Sequence, residues 1–131
     1  MKDGIRIYYA SSNGYHRYWR DGFLCLATLR PDGWAGYEPL DLDQTGIVVT
    51  HPLTWKGKLQ ITADLEGGSI QVSIIDTNGN ILEVGQHFEE DVSDHELAPA
   101  NPEQLARLAG QMICLRFALN RSKLYSFVLT E

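Results

Sequence analysis

The chain has 131 residues, one domain's worth, and 44% of them are hydrophobic and 21% charged, which excludes a disordered chain, a collagen and a coiled coil. Eleven Lys and Arg stand against seventeen Asp and Glu for a formal net charge of −6, so nucleic acid is not an expected partner. No stretch approaches the roughly 18–20 consecutive apolar residues of a membrane helix, so no membrane contact is expected either.

Strand signals come first in chain order. IRIYYA (5–10) and GFLCLATL (22–29) are short runs of aromatic and branched residues around the polar, aromatic segment SSNGYHRYWRD, whose Asn13-Gly14 pair marks a turn. They read as one hairpin with a long loop, apolar on both faces. Residues 30–46 hold two Pro and three Gly without periodicity and read as an irregular crossover. GIVVTHP (46–52) is a strand stopped by Pro52. KLQITADL (58–65) and SIQVSIID (69–76) alternate apolar and polar, the pattern of half-buried antiparallel strands, with Gly67-Gly68 turning the chain between them. Asn78-Gly79 signals a type I′ hairpin turn into ILEVGQHF (81–88).

EEDVSDHELAPAN (89–101) is acidic and reads as a solvated loop. NPEQLARLAG is the single helix candidate, near 102–109: Asn101 can cap it, Pro102 suits its first position and Gly110 its stop. QMICLRFAL (111–119) and KLYSFVLT (123–130) close the chain, the latter with Tyr125, Phe127 and Leu129 on one face. Ile61, Val72, Leu115 and Phe127 are the expected inward anchors of four central strands. The fold expectation is all-β: an antiparallel, jelly-roll-like β-sandwich over 31–131, preceded by an N-terminal hairpin over 1–30, with one short helix.

Candidate chemistry is sparse. No phosphate loop, G-x-S-x-G elbow or H-E-x-x-H helix occurs. Cys25 and Cys114, each inside an apolar run, read as buried free thiols; a disulfide or a metal pair is the minor reading. The carboxylates Asp41/Asp43, Glu89/Glu90/Asp91 and Asp94/Glu96 read as solvated acidic loops rather than the acid pair of a glycosidase. His16, His51, His87 and His95 fall in loops or at strand ends. No catalytic residue, metal ligand or cofactor is expected. The aromatic residues Tyr15, Tyr18, Trp19, Trp34, Tyr37 and Trp55 fall outside the alternating core positions. Within that set Trp19, Trp34, Tyr37 and Trp55 are the candidate carbohydrate-binding residues, because sugar rings stack on aromatic faces; packing against a neighbouring domain is the competing explanation.

IRIYYASSNGYH followed by GFLCLATLRPDGW resembles the last strands of five-bladed β-propeller glycosidases, the invertase/levanase/arabinanase-like superfamily. GIVVTHPLTWKGKLQITADLEGGSIQVSIIDTNGN and LAGQMICLRFALNRSKLYSF resemble the C-terminal β-sandwich of bacterial members. Trp34 stands where that pattern has Phe. The resemblance implies that residues 1–30 belong to a propeller's last blade, and that the sandwich is a non-catalytic accessory domain whose partner is the catalytic propeller of a parent glycosidase. The propeller's catalytic carboxylates lie upstream of these strands and have no counterpart here, so the chain alone is not expected to be an enzyme. An independent carbohydrate-binding module is the alternative, and a homodimer through the hairpin is a further expectation. MKDGIRIYY lacks the basic patch and apolar run of a signal peptide, which leaves the compartment open with the cytoplasm favoured.

Overall fold

The computed structural model describes residues 4–131. It is all-β and antiparallel, with ten strands and one short helix among the described residues. The chain divides into two compact units, one running through Trp34 and the other from Ala35 to Glu131.

The first unit is the hairpin. β1 (Ile5–Ser12) pairs with β2 (Gly22–Leu29) in an unbroken antiparallel ladder, from Ile5 opposite Leu29 to Ser12 opposite Gly22. That register sorts the side chains. Ile5, Ile7, Tyr9, Phe23, Cys25, Ala27 and Leu29 share one face with Ser11, whereas Leu24, Leu26 and Tyr8 share the other with Arg6, Ser12 and Thr28.

The second unit is a β-sandwich. One sheet has the order β10-β5-β8, built from β5 (Lys58–Asp64), β8 (Val92–Glu96) and β10 (Lys123–Thr130). The other has the order β3-β9-β6-β7, from β3 (Gly46–Val49), β6 (Ser69–Ile75), β7 (Ile81–Phe88) and β9 (Met112–Asn120); β4 (Leu53–Thr54) also pairs with β9. The expected strand 46–52 ends early, at Val49, and pairing resumes beyond Pro52 in β4, which the sequence pattern did not mark. β3 and β4 lie along successive parts of β9 with Pro52, which has no N–H for a ladder, in the break.

The core forms where the alternation predicts it. Leu59, Ile61, Ala63 and Leu65 point inward with Ile70, Val72 and Ile74 and with Ile113, Leu115, Phe117 and Leu119, all of them buried. Two expectations fail for a single reason, a residue that shifts strand phase. In β10 the register passes from Leu124 opposite Ala63 to Ser126 opposite Thr62, so Tyr125 is the extra residue of a bulge. Leu124 is the buried one, Phe127 and Leu129 pack half-buried on the core, and the Tyr125 hydroxyl bonds to Asp64 Oδ2 at 3.0 Å instead. In the acidic stretch read as a loop, Asp94 takes a φ of 47° and bulges β8. Val92 and Leu97 can therefore both reach the core although five positions apart, and the charges of β8 face out along a sheet edge.

The Asn78-Gly79 hairpin forms, but not as type I′, since Gly79 (φ 90°) and not Asn78 is left-handed. Gly79 N–H donates to Asp76 O at 3.1 Å and Asp76 N–H to Asn80 O at 2.9 Å, the three-residue loop with a glycine bulge. α1 (Pro102–Arg107) has Asn101 as its N-cap, whose side chain accepts from Gln104 N–H. The thiols are free, Cys114 buried as expected and Cys25 only half-buried.

Candidate functional site

The four candidate aromatics do not share an environment. Trp55 is 1% exposed. Its backbone N–H donates to Gln111 O and its carbonyl accepts from Gly110 N–H, both at 2.9 Å, so the segment after β4 is drawn against the α1–β9 connection. The ring enters the cluster that holds Leu105, Leu108 and Ile113. Trp55 is a core residue and leaves the set of sugar-stacking candidates.

Tyr37 belongs to the sandwich unit. Its backbone exchanges hydrogen bonds with Leu124 at 2.8 and 2.9 Å, its side chain is exposed, and it lines a groove of about 360 Å³ with Pro39, Leu40, Ile47 and Leu119. Trp19 and Trp34 belong to the hairpin unit, toward opposite ends of a ladder roughly 25 Å long at ~3.3 Å per residue. Trp34 follows the turn closed by Gly33 N–H donating to Arg30 O at 3.1 Å, beyond the Ile5–Leu29 end.

Trp19 stands in the loop that joins β1 to β2, and this loop gathers residues that the sequence separates only slightly. Tyr15, Tyr18 and Trp19 are 85%, 77% and 96% exposed, with His16, Arg17 and Arg20 interleaved and also exposed. The loop is closed at its base. Asn13 Nδ2 donates to Asp21 Oδ2 and Asp21 N–H donates to Asn13 Oδ1, both at 2.9 Å. Tyr18 N–H donates to Tyr15 O at 3.4 Å inside it. Gly14 lies so close to the returning limb of the loop that a Cβ there would stand 3.2 Å from Arg20 Cβ. A short, clamped loop thus holds three bare aromatic rings and two guanidinium groups in water.

Four of the acidic candidates, Asp41, Asp43, Asp91 and Asp94, are tied up by structural partners. Asp41 accepts from Asp43 N–H and Gln44 Nε2 within its own turn. Asp43 pairs with Arg121 at 2.9 Å. Asp91 Oδ1 accepts from Leu65 N–H at 2.7 Å, and Asp94 Oδ1 accepts from the Thr62 hydroxyl while Asp94 N–H donates back to it at 3.0 Å. His87 lies at the end of β7, as expected, and His95 lies in β8, in the stretch read as a loop; both line an open groove of about 470 Å³ with Glu89 and Glu90. Among the described residues no group of three His, Cys, Asp or Glu side chains is placed to hold a metal ion. Two carboxylate-related pKa shifts stand out. Asn80, with Asn78, holds the Asp76 carboxyl below its ordinary value by hydrogen bonds, and Glu38 raises the Lys123 ammonium across a 2.7 Å ion pair.

Comparison with known proteins adds no relative: no protein-family model matches the chain, and no curated protein or solved structure does.

Proposed function

We propose that the chain is a non-catalytic accessory module of a glycoside-hydrolase-like protein, a β-sandwich that carries a docking hairpin and contacts carbohydrate. The observation that carries the docking role is the hairpin's register. It places seven apolar side chains and no charge on one face, of which Tyr9 and Phe23 are half exposed. Isolated two-stranded hairpins are marginal in water, and an uncharged apolar sheet face is a surface that a second layer stabilises. A propeller blade, as implied by the resemblance of IRIYYASSNGYH and GFLCLATLRPDGW, supplies such a layer. The second reading, a module that binds carbohydrate by itself, is favoured by the exposed Trp19, Trp34 and Tyr37.

Two measurements test the first reading. The isolated chain is expected to give no turnover of aryl glycosides or oligosaccharides; turnover abolished by substituting a single Asp or Glu would overturn it. The gene supplies the other. A propeller's worth of coding sequence upstream of residue 1 supports the accessory role, and a freestanding gene whose product binds glycans supports the independent module.

A further inference from the structure

Charge is unevenly divided along the chain. Residues 1–34 hold five of its eleven Lys and Arg but three of its seventeen Asp and Glu, while residues 35–131 hold six against fourteen. The hairpin unit is therefore the cationic part of an acidic protein, and in the β1–β2 loop Arg17 stands between Tyr15 and Tyr18 and Arg20 directly follows Trp19. Most of the loop's composition suits several ligands; its size and its clamp narrow the choice.

We infer that the loop Asn13–Asp21 is a binding finger for an acidic polysaccharide, a chain of uronate sugars. This deepens the carbohydrate-contact part of the proposed function and rests on it. The rings of Tyr15, Tyr18 and Trp19, 77–96% exposed, offer flat apolar faces to the C–H faces of successive sugars. Arg17 and Arg20 present planar guanidinium forks that match a sugar carboxylate bidentately. The Asn13–Asp21 bonds at 2.9 Å hold both ends of the finger and occupy Asp21 Oδ2, the loop's one carboxylate, so the backbone is ordered before ligand arrives. A stable protein interface takes about 20–30 residues a side, and the seven residues between Asn13 and Asp21 fall well short of that; two or three sugar rings do not. A single-stranded nucleic acid also stacks on aromatics beside cations, and direct competition against oligo-dT separates it from a uronate chain.

The test is fluorescence polarisation of labelled oligogalacturonate titrated with the full chain, beside labelled levan and arabinan oligosaccharides and oligo-dT, with circular dichroism on every variant. Expected are saturable binding of oligogalacturonate at 20 mM salt, at least tenfold weaker binding at 500 mM because exposed charge pairs are screened, and at least tenfold loss in both Trp19→Ala and the double variant Arg17→Ala/Arg20→Ala. Asn13→Ala, which opens the clamp, is expected to lose severalfold. Trp34→Ala and Tyr37→Ala are expected to lose less than Trp19→Ala does, and the control Lys58→Ala, at an exposed position of β5, is expected to bind as the parent does. Equal or tighter binding of the neutral glycans would overturn the uronate inference and leave the carbohydrate reading standing. Tighter binding of oligo-dT would replace it with a nucleic-acid site. No response to any glycan would remove the inference and the carbohydrate reading together, without touching the docking role. Losses in Trp34→Ala as large as in Trp19→Ala would show that the finger is not the site.

Discussion

Gly68 is the residue whose side chain the fold can least accept. A Cβ built on it would lie 1.9 Å from Asn120 O and 2.4 Å from Arg121 O, both backbone atoms with no room to withdraw. The reason is topological. Two of the chain's five crossings between the sheets, β5 to β6 and β9 to β10, lie against each other. The Ser122 hydroxyl donates to Ser69 O at 3.0 Å across that seam, and Arg121 adopts a φ of 44° within it. Gly79, by contrast, has a φ of 90° but open space where a Cβ would be. Gly79→Ala is therefore expected to cost about 1 kcal/mol, the conformational penalty alone, and Gly68→Ala clearly more, because the backbone of the β9 to β10 crossing must move. Urea melts of the two variants check this, and equal midpoints would show that the seam can relax.

At the scale of elements, strand alternation was readable wherever it ran unbroken: β5, β6 and β9 bury the side chains their sequence pattern marks. It failed where one residue leaves the ladder. Nothing in KLYSFVLT announces that Tyr125 bulges, so a strict period of two places Tyr125 inward in place of Leu124. In DVSDHEL the positive φ of Asp94 separates Val92 from Leu97 by an odd count, and the charges that protect an edge strand resemble those of a solvated loop. Trp55 was misplaced because a loop position in sequence says nothing about the two backbone bonds that draw it into the core. The candidate finger was legible only in part. Trp19 was in view from its loop position, but the Asn13–Asp21 clamp needed the β1–β2 register to bring the two residues together.

The β6–β7 turn yields a prediction of its own. Asp76 Oδ1 accepts from Asn78 N–H and Asn80 N–H, and Oδ2 from Asn80 Nδ2, all at 2.8 Å. These bonds favour the ionised carboxylate, which is why its pKa lies below the ordinary 3.8. A pKa depressed on folding means that the unfolded chain binds the proton more tightly. The contribution is fully present above the unfolded value and is lost as pH falls through the lower folded value. Asp76→Ala is accordingly expected to be less stable than the parent at pH 7, with the gap narrowing as pH drops below about 4. A gap that stayed constant from pH 7 to pH 2.5 would assign the loss to turn geometry alone.

For the whole molecule, the two units face different physical problems. The sandwich unit has a continuous core of side chains at or near zero exposure, with strands from both sheets and the helix contributing to it. The described residues of the hairpin unit include no such core: those exposed include Tyr8, Tyr9, Phe23, Leu24 and Leu26, and Leu24 is 82% open to water. Its uncharged face, Ile5 through Leu29, is the side that a second layer would cover. Residues 35–131 expressed alone are therefore expected to fold cooperatively, with a melting temperature close to that of the full chain. The full chain by itself is expected to self-associate weakly through that face, since hairpin on hairpin in a two-fold arrangement leaves no charge uncompensated there. Phe23→Glu places a carboxylate in the middle of the face and is expected to restore the monomer, whereas Thr28→Glu on the opposite face is not. Light scattering from 1 to 100 µM on the chain, the 35–131 truncation and both variants reads this out at roughly protein-interface concentrations. A full chain that stays monomeric throughout, and as soluble as the truncation, would show that the hairpin needs no second layer and would remove the physical ground for its docking role.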